Sequence, residues 1–136
     1  MYSYTSQVRV RYGETDQMGY VYYGNYALYY ETGRVEMLRS LGISYRSMEE
    51  QGVMLPVLSL NCKYILPAKY DDLLTIKTTL VTQPNVRISF EYEIYNEAQL
   101  LVNKGDTTLV FASTTTGKPM QAPEWFLDTL KTKLQA

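Results

Sequence analysis

Apolar residues recur every third or fourth position over one stretch of this chain and every second position over most of the rest. Val8, Val10 and Tyr12 alternate with Arg9 and Arg11, which is the period of a half-buried strand. Residues 13–19 break that pattern and read as a loop. Tyr26, Tyr29, Tyr30, Gly33, Met37 and Leu41 then fall on one stripe, predicting a helix of about 16 residues with Asn25 as N-cap and Gly42 as its stop. Residues 45–51 predict a short helical turn. After that the chain returns to strand. The expected segments are 54–66, with Pro56 near its start, 73–81, 86–95 and 100–116, where Gly105 marks a bulge or bend. Turns at 67–72, 83–85 and 96–99 separate them. Pro123 opens a last short helix over 124–134, with Trp125, Phe126 and Leu130 on its apolar side.

Short turns make the four later strands antiparallel neighbours. Together with the first strand they predict an α+β domain in which one long helix covers one face of a five-stranded antiparallel sheet. Such a sheet must protect its edges and its second face, so a homodimer is expected. At 136 residues the chain is most simply one domain, residues 1–136.

Composition narrows the chemistry. Net charge is -1 and charged residues are 20%, so no global field favours nucleic acid or an anionic membrane. The single cysteine, Cys62, forms no internal disulfide and fits a reducing compartment. The N-terminus lacks the blocks of a signal peptide, and no window approaches the ~18 apolar residues of a membrane span. A soluble cytoplasmic protein is expected. The absence of histidine removes Ser-His-Asp and Cys-His nucleophilic systems and nearly all zinc sites, which leaves a carboxylate as the acid–base group of any enzyme.

Asp16 is the carboxylate in question. An aspartate in a loop that ends at a glycine is ordinarily a turn residue bonding its own backbone. Asp16 also precedes a helix whose first N–H groups, around Tyr23 to Asn25, have no intrahelical partner. A carboxylate facing unsatisfied donors across a small space is the arrangement of a nucleophile or base opposite an oxyanion hole. Glu14 alternates with Asp16 and reads as solvated. Glu31 reads as a helix-surface charge or a partner for Arg34. Lys63 and Arg87 read as polar strand residues, Cys62 as a small buried one, and Asp71 and Asp72 as turn residues.

The pattern D-x-x-G-x-V-x-x-x-N-Y at Asp16, Gly19, Val21, Asn25 and Tyr26, followed by E-x-G-R-x-E over residues 31–36, resembles the 4-hydroxybenzoyl-CoA thioesterase group of hotdog-fold acyl-CoA thioesterases. P-V-x-x-x-N-x-x-Y from Pro56 and A-x-Y-D-D-L-L-T-I over residues 68–76 extend the resemblance along nearly the whole chain. It implies a helix wrapped by a curved antiparallel sheet, dimers with active sites at their interface, and in many cases pairs of dimers. It also implies a catalytic carboxylate at Asp16, acting as nucleophile or as base for water, and a backbone N–H at Tyr23 that polarises the thioester carbonyl. By the same resemblance Gly19, Tyr22 and Asn25 frame the substrate, and Glu31 faces the acyl pocket. Arg87 and, more weakly, Lys63 meet the CoA phosphates. The implied mechanism needs no metal or cofactor. Many bacterial relatives carry histidine where this chain has Tyr23, whereas the benzoyl-type enzyme carries tyrosine. The tyrosines between Tyr22 and Tyr30 suit an aromatic acyl group, or else plain core. Two alternatives stand beside acyl-CoA hydrolysis: a thioesterase acting on acyl carrier protein, and a non-catalytic module binding an acyl or aromatic ligand.

Overall fold

The computed structural model describes residues 1–135. In chain order its elements are β1 (Tyr2–Arg9), α1 (Tyr26–Ser40), α2 (Tyr45–Glu50), β2 (Val53–Met54), β3 (Val57–Tyr64), β4 (Leu73–Leu80), β5 (Arg87–Tyr95), β6 (Leu101–Val110), β7 (Ala112–Ser113) and α3 (Glu124–Gln135). Five strands form one antiparallel sheet in the order β1-β4-β5-β6-β3, and β2 pairs with β7 in a separate two-stranded ribbon.

The first strand begins at Tyr2, ahead of the alternation that starts at Val8. Tyr2, Tyr4, Ser6 and Val8 are half-buried while the residues between them are exposed. Val10 is the last inward residue, and Tyr12, expected to follow it, is exposed. The cause is local. Val10 and Asp72 tie the chain to the start of β4, and the Arg11 N–H then donates to Glu14 Oε1 at 2.8 Å, which turns residues 12–14 out of the sheet as a 3-10 turn.

The long helix lies where its stripe places it. Tyr26, Tyr29, Tyr30, Gly33 and Met37 are buried against the inner face of the sheet. Gly42, at φ 81°, ends the helix: its N–H reaches Arg39 O and that of Ile43 reaches Leu38 O, both at 2.9 Å, the paired bonds of a Schellman stop. Asn25 sits at the N-cap position, but its side chain makes no capping bond. The helix is entered instead through a 3-10 turn over Tyr23–Asn25, and the Asn25 amide donates to Glu14 O at 2.8 Å. That amide therefore holds the preceding loop and leaves the helix end uncapped.

Two long strands read from the pattern are each broken. Residues 54–66 divide at Pro56, which has no N–H to offer a ladder, and residues 100–116 divide at Phe111. Gly105 is not a bulge either. It stays in register with both Tyr92 and Cys62, and the irregularities lie opposite Val102 and between Val57 and Ser59. Glycine is required there because Tyr30 packs beneath the strand: a Cβ would stand 2.9 Å from Tyr30 Cε2 and still closer to the Tyr30 hydroxyl and the Asn61 carbonyl. Tyr30 is stacked on Tyr92 with ring centroids 4.2 Å apart, and its hydroxyl reaches Asn103 and Cys62. At the far end α3 closes the core, with Phe126 edge-on to Phe111 at 5.1 Å.

The sheet has two edge strands, β1 and β3, each paired on one side among the described residues, and along β3 Val57, Leu58, Leu60 and Tyr64 are exposed apolar residues. A dimer was expected to protect the sheet's edges and second face, and this apolar edge is one such surface.

Candidate active site

The loop between β1 and α1 is a small hairpin closed on itself. Thr15 pairs with Val21, Asp16 N–H donates to Tyr20 O at 2.7 Å, and Gly19 supplies the positive φ of 83° that turns the chain. The Asp16 carboxylate is inside this turn. Its Oδ1 accepts the N–H groups of Met18 at 2.9 Å and Tyr20 at 3.1 Å, while Oδ2 has no partner among the described residues. One oxygen thus builds the turn and the other is available. Gly19 is exposed and shapes the hairpin through its backbone.

The hairpin is held against the tip of α1. Tyr22 N–H donates to Glu14 O at 2.9 Å, and the Asn25 amide donates to the same carbonyl. Val21 N–H reaches Ala68 O, fastening the other side to the chain ahead of β4. Of the three donors expected to be free at the helix entrance, the Asn25 N–H is used by Tyr22 O at 2.9 Å. The N–H groups of Tyr23 and Gly24 have no acceptor among the described residues. Two adjacent bare amides at the positive end of a helix dipole form an anion-stabilising position.

Glu14, expected to be solvated, is built into this frame. Its side chain is only 15% exposed, and Oε1 also accepts the Tyr29 hydroxyl at 3.0 Å. Burial, then the bond to Glu14, pushes the Tyr29 phenol above its ordinary range. Its spacing of three from Arg11 is a capping-box spacing and was the signal available for this role. Tyr64 was also missed. It reaches across from the end of β3, its hydroxyl donating to Tyr23 O at 3.4 Å and its ring 5.5 Å from Tyr26 and 6.4 Å from Tyr23. The Tyr22 ring lies tilted beside that of Tyr23, with centroids 4.5 Å apart. An aromatic wall therefore surrounds the bare amides. Burial pushes Tyr26 up to about 12, and Tyr64 rises to about 12 for the same leading reason. These phenols stay protonated near neutral pH, so they can donate or stack but do not serve as bases.

The remaining site residues lie elsewhere in the protomer. Glu31 is exposed on α1 and makes no ion pair with Arg34, which turns inward and donates from Nε to the Tyr45 hydroxyl at 3.0 Å. Lys63 and Arg87 occupy the outer face of the sheet, opposite Lys104 and Val110 respectively. Six residues of β6 separate those registers, about 20 Å at strand rise, so the two cations do not converge on one phosphate within a protomer. Among the described residues no three His, Cys, Asp or Glu side chains are grouped to hold a metal ion.

A curved antiparallel sheet around one long helix, with a carboxylate hairpin at a bare helix tip, places the molecule in the hotdog class of α+β domains. The chain belongs to the thioesterase-like superfamily, whose family model matches residues 10–130. It is 34% identical to the putative acyl-CoA thioesterase YneP of Bacillus subtilis, covering 90% of this chain and 88% of that protein. To the acyl-CoA thioester hydrolase YbgC of Escherichia coli O6:H1 it is 32% identical, covering 86% and 87%. Among solved structures it superposes on the DHNA-CoA thioesterase of Staphylococcus aureus with a TM-score of 0.92 and 35% identity, over 99% of this chain and 92% of that one. The expected resemblance to hotdog-fold thioester hydrolases is borne out by these relatives.

Proposed function

We propose that this chain hydrolyses acyl-CoA thioesters to the free acid and CoA, with Asp16 as the catalytic carboxylate and the Tyr23 backbone N–H as oxyanion donor. The single observation that carries the reading is the juxtaposition at the helix tip: amides of Tyr23 and Gly24 without acceptors among the described residues, beside a hairpin whose aspartate keeps one oxygen free of them. A thioester carbonyl accepting from those amides is polarised along the helix axis. Asp16 then either attacks the carbonyl carbon, expelling CoA thiolate and leaving an anhydride for water to open, or takes a proton from the water that attacks. Both routes end in a carboxylic acid and a thiol, and neither passes through a metal or cofactor.

The site is completed by a second copy of the chain. β3 runs from Val57 to Tyr64, seven steps or about 23 Å. Its Tyr64 end stands at the helix tip, while its Val57 end lies beside Leu109, near Arg87. Antiparallel pairing of this exposed edge with its two-fold mate brings the Val57 end of one subunit to the Tyr64 end of the other. The partner's Arg87 then approaches a site from which a protomer's own Arg87 is remote, supporting a phosphate-binding role in trans. Glu31, on the exposed side of α1, takes its acyl-facing role within the same dimer, and Gly19, Tyr22 and Asn25 frame the carbonyl end. Lys63 stands at the Tyr64 end, a second cation for the nucleotide. We place the activity in the cytoplasm, within one domain, on the strength of the lone half-buried cysteine and the absence among the described residues of any helix long and apolar enough to cross a membrane.

The test is Asp16→Asn. Asparagine keeps an oxygen acceptor for Met18 and Tyr20 but carries no charge, so thioester hydrolysis should fall at least ~10²-fold with thermal stability nearly unchanged. Hydrolysis of a panel of acyl-CoAs at the wild-type rate by this variant would remove Asp16 from the mechanism.

A further inference from the structure

Glu14 accepts four hydrogen bonds, and their donors belong to three different segments. Its Oε1 takes the Arg11 N–H at 2.8 Å, from just beyond β1, and the Tyr29 hydroxyl at 3.0 Å, from the first turn of α1. Its carbonyl takes the Tyr22 N–H at 2.9 Å and the Asn25 amide at 2.8 Å, from the chain entering that helix. The Arg11 guanidinium is mostly exposed, with Nε 3.5 Å from Oε2, so it is a loose companion and not a buried countercharge. A carboxylate largely withdrawn from water has to be satisfied by donors that stay in place. Here the Tyr29 phenol is one of them.

That phenol is the rigid end of the contact. The Tyr29 ring is buried and stands edge-on to Tyr26 with centroids 5.7 Å apart, and Tyr26 is 5.5 Å from Tyr64 in the aromatic wall. Glu14 is the end that carries the hairpin. Thr15 pairs with Val21 and Asp16 N–H donates to Tyr20 O, so the hairpin is one unit and a shift at Glu14 takes Asp16 with it. The bonds at the Glu14 carbonyl join the hairpin to the chain that follows it, whereas the phenol bond reaches into the body of α1. The helix entrance one turn earlier presents the amides of Tyr23 and Gly24. The Glu14–Tyr29 bond is thus a strut between the element that holds the carboxylate and the element that holds the oxyanion donors.

We propose that Glu14 and Tyr29 are positioning residues whose hydrogen bond sets the separation between the Asp16 carboxylate and the Tyr23 and Gly24 amides, and with it the rate of the chemical step. The proposal rests on the assignment of Asp16 and those amides to thioester hydrolysis. Neither side chain has to touch the substrate for this: Tyr29 is buried, and Glu14 Oε1 is occupied by Tyr29 and Arg11. Misplacing a reacting group by about 1 Å costs up to about 10²-fold in rate. Loss of the strut therefore acts on kcat and leaves KM nearly as it was.

The test is a double-mutant cycle on the full chain, with whichever of acetyl-, hexanoyl-, benzoyl- and palmitoyl-CoA the wild type hydrolyses fastest. Tyr29→Phe keeps the buried ring and deletes the strut, so kcat should fall about 10-fold while KM stays within about 2-fold. In an Asp16→Asn background the same change should cost less than about 2-fold, because no carboxylate is left to position. Glu14→Ala should lower kcat about 30-fold, and Glu14→Gln, whose amide oxygen still accepts from Tyr29 and Arg11, should recover all but about 3-fold. A Tyr29→Phe loss equally large in both backgrounds would show a general structural role and overturn the proposal. So would an unchanged kcat, or a Glu14→Gln as impaired as Glu14→Ala. Failure of the underlying reading shows differently, as Asp16→Asn alone hydrolysing at the wild-type rate.

Discussion

Gly105→Ala is expected to destabilise the protein by about 3 kcal/mol, although it adds one methyl group to a regular, in-register strand position. The new Cβ would meet Tyr30 Cε2 at 2.9 Å and the Asn61 carbonyl and Tyr30 hydroxyl more closely still. Neither neighbour is free to retreat. The Asn61 carbonyl belongs to β3, which is paired to β6, and Tyr30 is stacked on Tyr92 with an interplanar angle of 4°. Sliding the ring also loosens the hydroxyl's bonds to Asn103 and Cys62. Overpacking of this kind costs about 1–3 kcal/mol, and two weakened buried hydrogen bonds add about 1 each. The gain of alanine over glycine in a strand returns about 0.5–1 kcal/mol. With 136 residues the unfolding entropy makes 1 kcal/mol worth about 3.5 °C, so Tm should fall by about 10 °C. Urea unfolding at constant m-value measures the loss directly. Gly24→Ala is the control: its Cβ would touch only the exposed Tyr22 ring, at 3.0 Å, and should cost less than about 1 kcal/mol. A Gly105→Ala loss under 1 kcal/mol would refute the account, because it would mean that Tyr30 can move.

Asn25→Asp keeps a good N-cap residue on paper, yet it should destabilise by about 1–2 kcal/mol, since a carboxylate cannot donate to Glu14 O and aligns like charge with Glu14; a stability equal to wild type in chemical denaturation would return Asn25 to an ordinary capping role. Alkaline pH should unfold the protein through its tyrosines. Burial raises Tyr26 to about 12 and lifts Tyr29, Tyr30 and Tyr92 as well, so their contribution is complete below pH 10 and is lost as pH climbs towards 12, where the unfolded phenols ionise first. Absorbance at 295 nm followed beside far-ultraviolet circular dichroism checks this: the buried phenols should ionise together with unfolding, and their titration near pH 10 in a still-folded chain would contradict it.

Periodicity alone determined the elements that bury a continuous apolar face. The stripe from Tyr26 to Met37 specified α1, Gly42 specified its end, and the alternation from Val86 to Ile94 specified β5, because in each case local spacing and core burial demand the same conformation. The sequence also placed Asp16 and the first helical amides in one short stretch, since a hairpin and the helix it feeds are local structures. What lies at longer range was illegible. Nothing near Tyr64 in the chain says that its ring closes the wall beside Tyr23, and nothing near Gly105 says that Tyr30 will pack beneath it. The roles of Asn25 and Glu14 were reversed for the same reason: capping and solvation are local defaults, and a carbonyl and a phenol eleven and fifteen residues apart override them once the loop folds back on the helix. Only tertiary structure decided those contacts, because their partners are brought together by the closing of the sheet around α1.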